Sequence, residues 1–177
     1  MALELSILGG YPADEQIRVF SFELTRPADV NGYSAGDVIS NSVATPALIS
    51  IELGNDAIDA GIIAFLRLQT DSTNLASKTV NAHFFNDEIA ATADNAAYEM
   101  RYANHEKRVG YMAVTFDAAQ PGAGTNSVAG INNFDKVFFK PVSGFLHIQF
   151  QTVSAFVPFS GQKLFGQIGI IIRKATR

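Results

Sequence analysis

From Ile17 to Leu24 the chain alternates, with Phe20, Phe22 and Leu24 on one side and Ser21 and Glu23 on the other. This is the period-two pattern of a strand with one buried face. The same pattern recurs at Leu48–Leu53, where Ile49, Ile51 and Leu53 alternate with Ser50 and Glu52. It recurs again at Gly144–Val153, where Leu146, Ile148 and Phe150 oppose His147, Gln149 and Gln151. Leu164–Arg173 sets Ile168, Ile170 and Ile172 against Gln167, Gly169 and Ile171. Three apolar runs of strand length, Gly61–Gln69, Val80–Asn86 and Val109–Phe116, lie between, joined by the polar connections Thr70–Thr79 and Asp87–Arg108. Asp37–Ser40 is a short strand, and Phe134–Lys140 puts Val137 and Phe139 opposite Phe134, Lys136, Phe138 and Lys140.

About eight or nine short strands separated by turn signals predict an all-β fold, an antiparallel β-sandwich of jelly-roll type. Asp94–Tyr102 is the one helical candidate. Asp117–Asn133, with Pro121, Gly122, Gly124 and Gly130, reads as a long loop, a length that usually accompanies binding or packing on a neighbour. Residues 1–16, with Gly9-Gly10, Pro12 and Asp14-Glu15, are expected to form an N-terminal arm, and residues 17–177 a single domain.

Composition narrows the class. With 177 residues and 47% hydrophobic residues the chain can bury a core without staples. It has no Cys, hence neither disulfides nor a thiolate metal cage. Fourteen Phe and no Trp point to a core of aromatic rings. No apolar run nears the roughly 18–20 residues of a membrane span, and the start makes a poor signal peptide. The net charge of −4, from 13 basic and 17 acidic residues, argues against a nucleic-acid partner.

The candidate chemistry is sparse. Gly32-Tyr-Ser-Ala-Gly36 matches the G-x-S-x-G nucleophile string, which requires a strand before it and a helix after it. Here a strand-like run follows, so Ser34 is expected in a turn whose glycines supply positive φ. His83, His105 and His147 lie in separate elements without metal-ligand spacing. Asn86-Asp87-Glu88 with Asp94-Asn95 offers hard oxygen ligands better suited to Ca²⁺ than to zinc, but without EF-hand spacing, and solvated loop carboxylates are the expectation. Gly122-Ala-Gly124 lacks the Lys and helix of a phosphate loop. No catalytic, cofactor or metal residue is therefore assigned. The aromatics Phe134, Phe138, Phe145, Phe156, Phe159 and Phe165 are more informative. Strands with two apolar faces are either sandwiched within a core or covered by another subunit, and both remain open.

Five segments taken together carry a resemblance: Phe20-Ser-Phe-Glu-Leu24, Tyr33-Ser-Ala-Gly-Asp-Val-Ile-Ser40, Phe84-Phe-Asn-Asp87, Asp94-Asn-Ala-Ala-Tyr98 and Gly110-Tyr-Met-Ala-Val-Thr-Phe116. The chain is similar to head decoration, or auxiliary capsid, proteins of tailed bacteriophages, over residues 17–116. The resemblance implies a virion structural protein on the outer capsid surface, assembled in the host cytoplasm. It also implies binding to the major capsid protein, a homo-oligomer with a trimer favoured, and no catalysis. The alternative is a jelly-roll receptor- or glycan-binding module of a head or tail fibre, motivated by the polar, aromatic loop Asn86–Tyr111 and the Gly-rich loop.

Overall fold

A computed structural model describes residues 15–54, 58–118, 127–133, 135–142 and 144–174. Ten strands among them form two antiparallel sheets. In the first, β1 (Glu15–Thr25) pairs with β10 (Lys163–Lys174), which pairs with β4 (Ile58–Thr70). Two short strands, β7 (Val128–Asn132) and β8 (Val137–Phe139), share the far edge of β4. In the second, β2 (Val38–Ile39) and β3 (Ile49–Glu52) share one edge of β9 (Phe145–Thr152), followed by β5 (Thr79–Phe85) and β6 (Arg108–Thr115). Counting β2 with β3 and β7 with β8 as interrupted strands leaves four per sheet. Every sheet neighbour except the β5–β6 pair then lies far off in sequence, the jelly-roll arrangement the alternation predicts.

The core forms where the alternating faces meet. Phe84, Met112, Val114, Leu146, Ile148 and Phe150 of the second sheet pack against Ile63, Leu66, Leu68, Ile168 and Ile170 of the first. Removing these side chains from water, at about 25 cal/mol per Å², is the main force closing the sandwich.

Four expectations need correction. Strand β1 starts at Glu15, so two residues assigned to the arm belong to the sheet; residues 1–14 lie outside the described residues. The loop expected to run to Asn133 holds strand β7 at its end, while residues 119–126, with Gly122 and Gly124, lie outside the described residues. Gly130 has the look of a turn residue, but a Cβ there would stand 2.3 Å from the Thr115 carbonyl oxygen, so a strand crossing this edge must carry glycine. The helix expected over Asp94–Tyr102 does not form. Asn95 takes φ +59°, and Val38 N–H donates to Ala96 O while Tyr98 N–H donates to Gly36 O, so the segment lies extended along β2. Among the described residues the helical structure is one 3₁₀ turn at Tyr102–Asn104. The described residues hold ten strands where about eight or nine are expected.

Candidate interaction surfaces

Each sheet has an outer face, and the two differ. On the second sheet the outward residues are mostly polar: Asn81, His83, His147, Gln149 and Gln151, with Phe85 among them and Tyr111 and Arg108 beside them. Alternation alone would leave them in water. Instead the connection from Asn86 to Lys107 folds back over them. Ala90–Ala93 and Tyr98–Arg101 close over Phe85 and Gln149 and enclose a cavity of about 160 Å³. His83 is 4% exposed, and His147 and Gln149 are also buried.

The buried polar groups are only partly satisfied: His83 Nδ1, the Tyr98 hydroxyl and Arg108 Nε have no hydrogen-bond partner among the described residues. The Tyr98 ring stacks on His83 with centroids 4.2 Å apart. Gln151 Oε1 sits 3.0 Å from His83 Nε2, and the Gln151 amide nitrogen turns to Gly36 O, so Nε2 carries the proton. Burial lowers the His83 pKa to about 4, the Gln151 contact opposes that shift, and nearby Arg108 adds to it. Burial raises the Tyr98 hydroxyl to about 12. His147 Nδ1 lies 2.9 Å from Ser50 Oγ, and burial lowers its pKa too.

One buried ion pair pins this cover at its turn. Arg26 and Asp94 are each 4% exposed, and Arg26 Nη2 donates to Asp94 Oδ2 at 2.8 Å. The Tyr33 hydroxyl accepts from Arg26 Nε and donates to Asp94 Oδ1 at 2.6 Å, which also accepts the Ser40 N–H at 2.8 Å. Burial, reinforced by the Asp94 carboxylate, drives the Tyr33 pKa far above its ordinary value. The ring itself stacks on Phe156 at 4.8 Å.

The first sheet has no such cover among the described residues. Strand register sorts its outward residues into rows. Ile17, Ile171, Ile62 and Phe138 lie side by side across four strands. Val19, Gly169 and Phe65 form the next row, and the Phe65 ring lies where a Cβ on Gly169 would go. The following rows are Ser21, Gln167, Arg67 and Ile131, then Glu23, Phe165, Gln69 and Ala129. The face is thus apolar at one end and mixed at the other. Phe138 is 70% exposed and Ile131 55%.

The residues singled out in the sequence do not converge. Ser34 is exposed in a turn closed by Gly36 at φ +95°; its N–H donates to Asp37 Oδ2, its hydroxyl has no hydrogen bond among the described residues, and strand β2 follows instead of a helix. Asp87 pairs with Lys107 at 3.0 Å, and both oxygens of Asp94 are committed, so the acidic residues do not share a ligand cage. No group of three or more His, Asp or Glu able to hold a metal occurs among the described residues. His105 is exposed beside Tyr102, remote in sequence from the buried pair. Of the aromatics, Phe156 caps the core, Phe159 is exposed in a loop, Phe138 and Phe165 lie on the open face, Phe145 borders His147, and Phe134 lies outside the described residues. Sequence reasoning missed Arg26, Tyr98 and Arg67; a charged residue on or beside a strand, or a tyrosine in a loop, looks solvated whether or not it is.

No protein-family model matches the chain, and no curated protein matches it. Among solved structures, a chain of Desmodium yellow mottle tymovirus aligns at 10% identity and a TM-score of 0.29, covering 98% of this chain and 94% of that one. The VP2 subviral particle of infectious bursal disease virus aligns at 13% identity and a TM-score of 0.33, covering 98% of this chain and 43% of that one. Turnip yellow mosaic virus aligns at 10% identity and a TM-score of 0.22, covering 100% and 91%. Likenesses this faint carry no argument, and the jelly-roll assignment rests on the strand order of the chain itself.

Proposed function

We propose that the chain is a virion structural protein that decorates a bacteriophage head by docking the apolar end of the outer face of its first sheet on the major capsid protein. The observation that carries this is the apolar row Ile17, Ile171, Ile62 and Phe138, continued by Val19 and Phe65, on a sheet face without cover among the described residues. A contiguous apolar surface of this kind is favourable when a neighbour removes it from water. A jelly roll serves shells and lectins alike, so the fold alone does not choose. The segment resemblance over residues 17–116 supports the shell.

In this reading the protein assembles in the host cytoplasm, sits on the outer surface and acts as a symmetric oligomer, a trimer. Mixing the purified chain with undecorated heads tests it: saturable binding at symmetric positions, visible by electron microscopy, is the expected result. No binding across a range of salt concentrations overturns it. Mass measurement of the free protein separately checks the trimer.

A further inference from the structure

The mixed end of the same face holds a groove that the docking role does not use. Ser21, Arg67, Gln69, Phe165 and Gln167 line it, and its volume, open to one side, is about 440 Å³. That lies within the range of small-ligand sites, roughly 300–1,000 Å³. Its floor is stiff: Phe22 lies across Gly166 from the core side, so close that a Cβ there would stand 1.9 Å from the ring. The groove has one unmatched charge. Glu23 is occupied by Lys163 at 2.8 Å, and that hydrogen bond holds its carboxyl below the usual range. Arg67 has no ion-pair or hydrogen-bond partner among the described residues, and neither have the side chains of Ser21, Gln69 and Gln167.

We propose that this groove binds an acidic sugar, a carboxylate-bearing residue of a glycan. The Arg67 guanidinium offers a fork matched to a carboxylate. Gln69 and Gln167 each present a donor and an acceptor, and Ser21 a hydroxyl, which suits neighbouring sugar hydroxyls. The half-open Phe165 ring gives the apolar C–H face of a pyranose a surface to lie on. The groove is open along the face, so a sugar within a longer chain fits as well as a terminal one. In a chain of net charge −4, a solitary guanidinium between two amides selects for the anionic ligand locally. The site stands on its own residues, and its failure would leave the docking role of the apolar rows untouched.

Titration of the full chain, followed by NMR, tests the site with four probes: 3′-sialyllactose, a glucuronate-containing disaccharide, lactose and benzoate. At least one acidic sugar is expected to bind about tenfold or more tighter than lactose and benzoate, and which one binds separates sialic from uronic acid sources. Arg67→Gln should weaken that binding about tenfold or more, with Arg67→Lys intermediate, because lysine keeps the charge but not the fork. Phe165→Ala should weaken it several-fold. Both positions are exposed, so the variants should unfold at the wild-type denaturant concentration. Equal binding of lactose or benzoate, an unchanged affinity in Arg67→Gln, or no saturable binding of either acidic sugar would overturn the proposal.

Discussion

The two outer faces invert the usual arrangement. The second sheet turns histidines and glutamines outward and buries them; the first turns isoleucines and a phenylalanine outward and leaves Ile17, Ile62 and Ile171 half-buried and Phe138 exposed. A buried polar face is costly where groups lack partners, and here the cover meets that cost only in part: Gln151 serves His83 Nε2, Ser50 serves His147 and Tyr98 roofs the ring, while His83 Nδ1 and the Tyr98 hydroxyl have no hydrogen bond among the described residues. The open apolar face has no such internal remedy among the described residues. Strand alternation therefore says which residues leave the core, while contacts from elsewhere in the chain, or beyond it, decide whether they meet water.

The covered face should be the more sensitive to substitution. Asp94→Ala would leave the buried Arg26 charge only the more distant Asp29 carboxylate, 3.4 Å away, and release the turn of the cover, at a cost of about 3–5 kcal/mol. Equilibrium denaturation measures it, and a loss under about 1 kcal/mol would mean the ion pair does not hold the cover. Arg26→Met combined with Asp94→Leu should cost much less than Asp94→Ala, since neither charge is then left alone.

Next in size is an effect of pH. His83 titrates near 4 in the folded chain against an ordinary value of 6.5. Between those values the unfolded chain holds a proton that the folded chain does not. Stability from this group is thus complete above pH 6.5, falls as pH drops towards 4, and changes no further below that. The loss is at most about 3 kcal/mol. Burial lowers His147 as well, so it acts in the same direction. His83→Gln should flatten the curve in that window; an unchanged slope would show that His83 is not buried as described.

Tyr98→Ala removes the roof. The half-buried ring and its stack are worth about 2 kcal/mol. A more telling readout is the imidazole: by NMR the His83 pKa should climb back towards 6.5 as water reaches it. A value that stays near 4 would assign the burial to some other group.

Much of this was legible along the chain, and the misses have physical causes. The inward residues of β1, β9 and β10 follow from alternation, because one buried face imposes period two whatever the topology. Alternation likewise sets Phe138 opposite Val137 and Phe139, which are buried. What could not be read is whatever depends on distant partners. Gly130 looks like a turn residue until Thr115 is seen passing beside it. Asp94–Tyr102 has the residues of a short helix, but the Asp94 carboxylate finds Arg26, 68 positions away, and the segment stays extended. Tyr98 is an ordinary loop tyrosine until His83 lies beneath it. The groove at Arg67 needs three strands that are neighbours only in the sheet.

The open face should respond in the opposite sense, with little change in folding and a large change in association. Ile131→Thr with Phe138→Thr keeps one β-branched residue and introduces another, so strand preference is preserved. Both side chains are more than half exposed, and the folded monomer loses little buried area. The expected change in stability is within about 0.5 kcal/mol. Capsid docking, by contrast, should be lost or strongly weakened, because Phe138 ends the apolar row that a neighbour would cover. Sedimentation of the variant with undecorated heads provides the measurement. Wild-type binding by the double variant would move the docking surface off this face. A stability loss of several kcal/mol would instead mean that Phe138 and Ile131 are already covered within the protomer, and the contrast between the two sheets would fall with it.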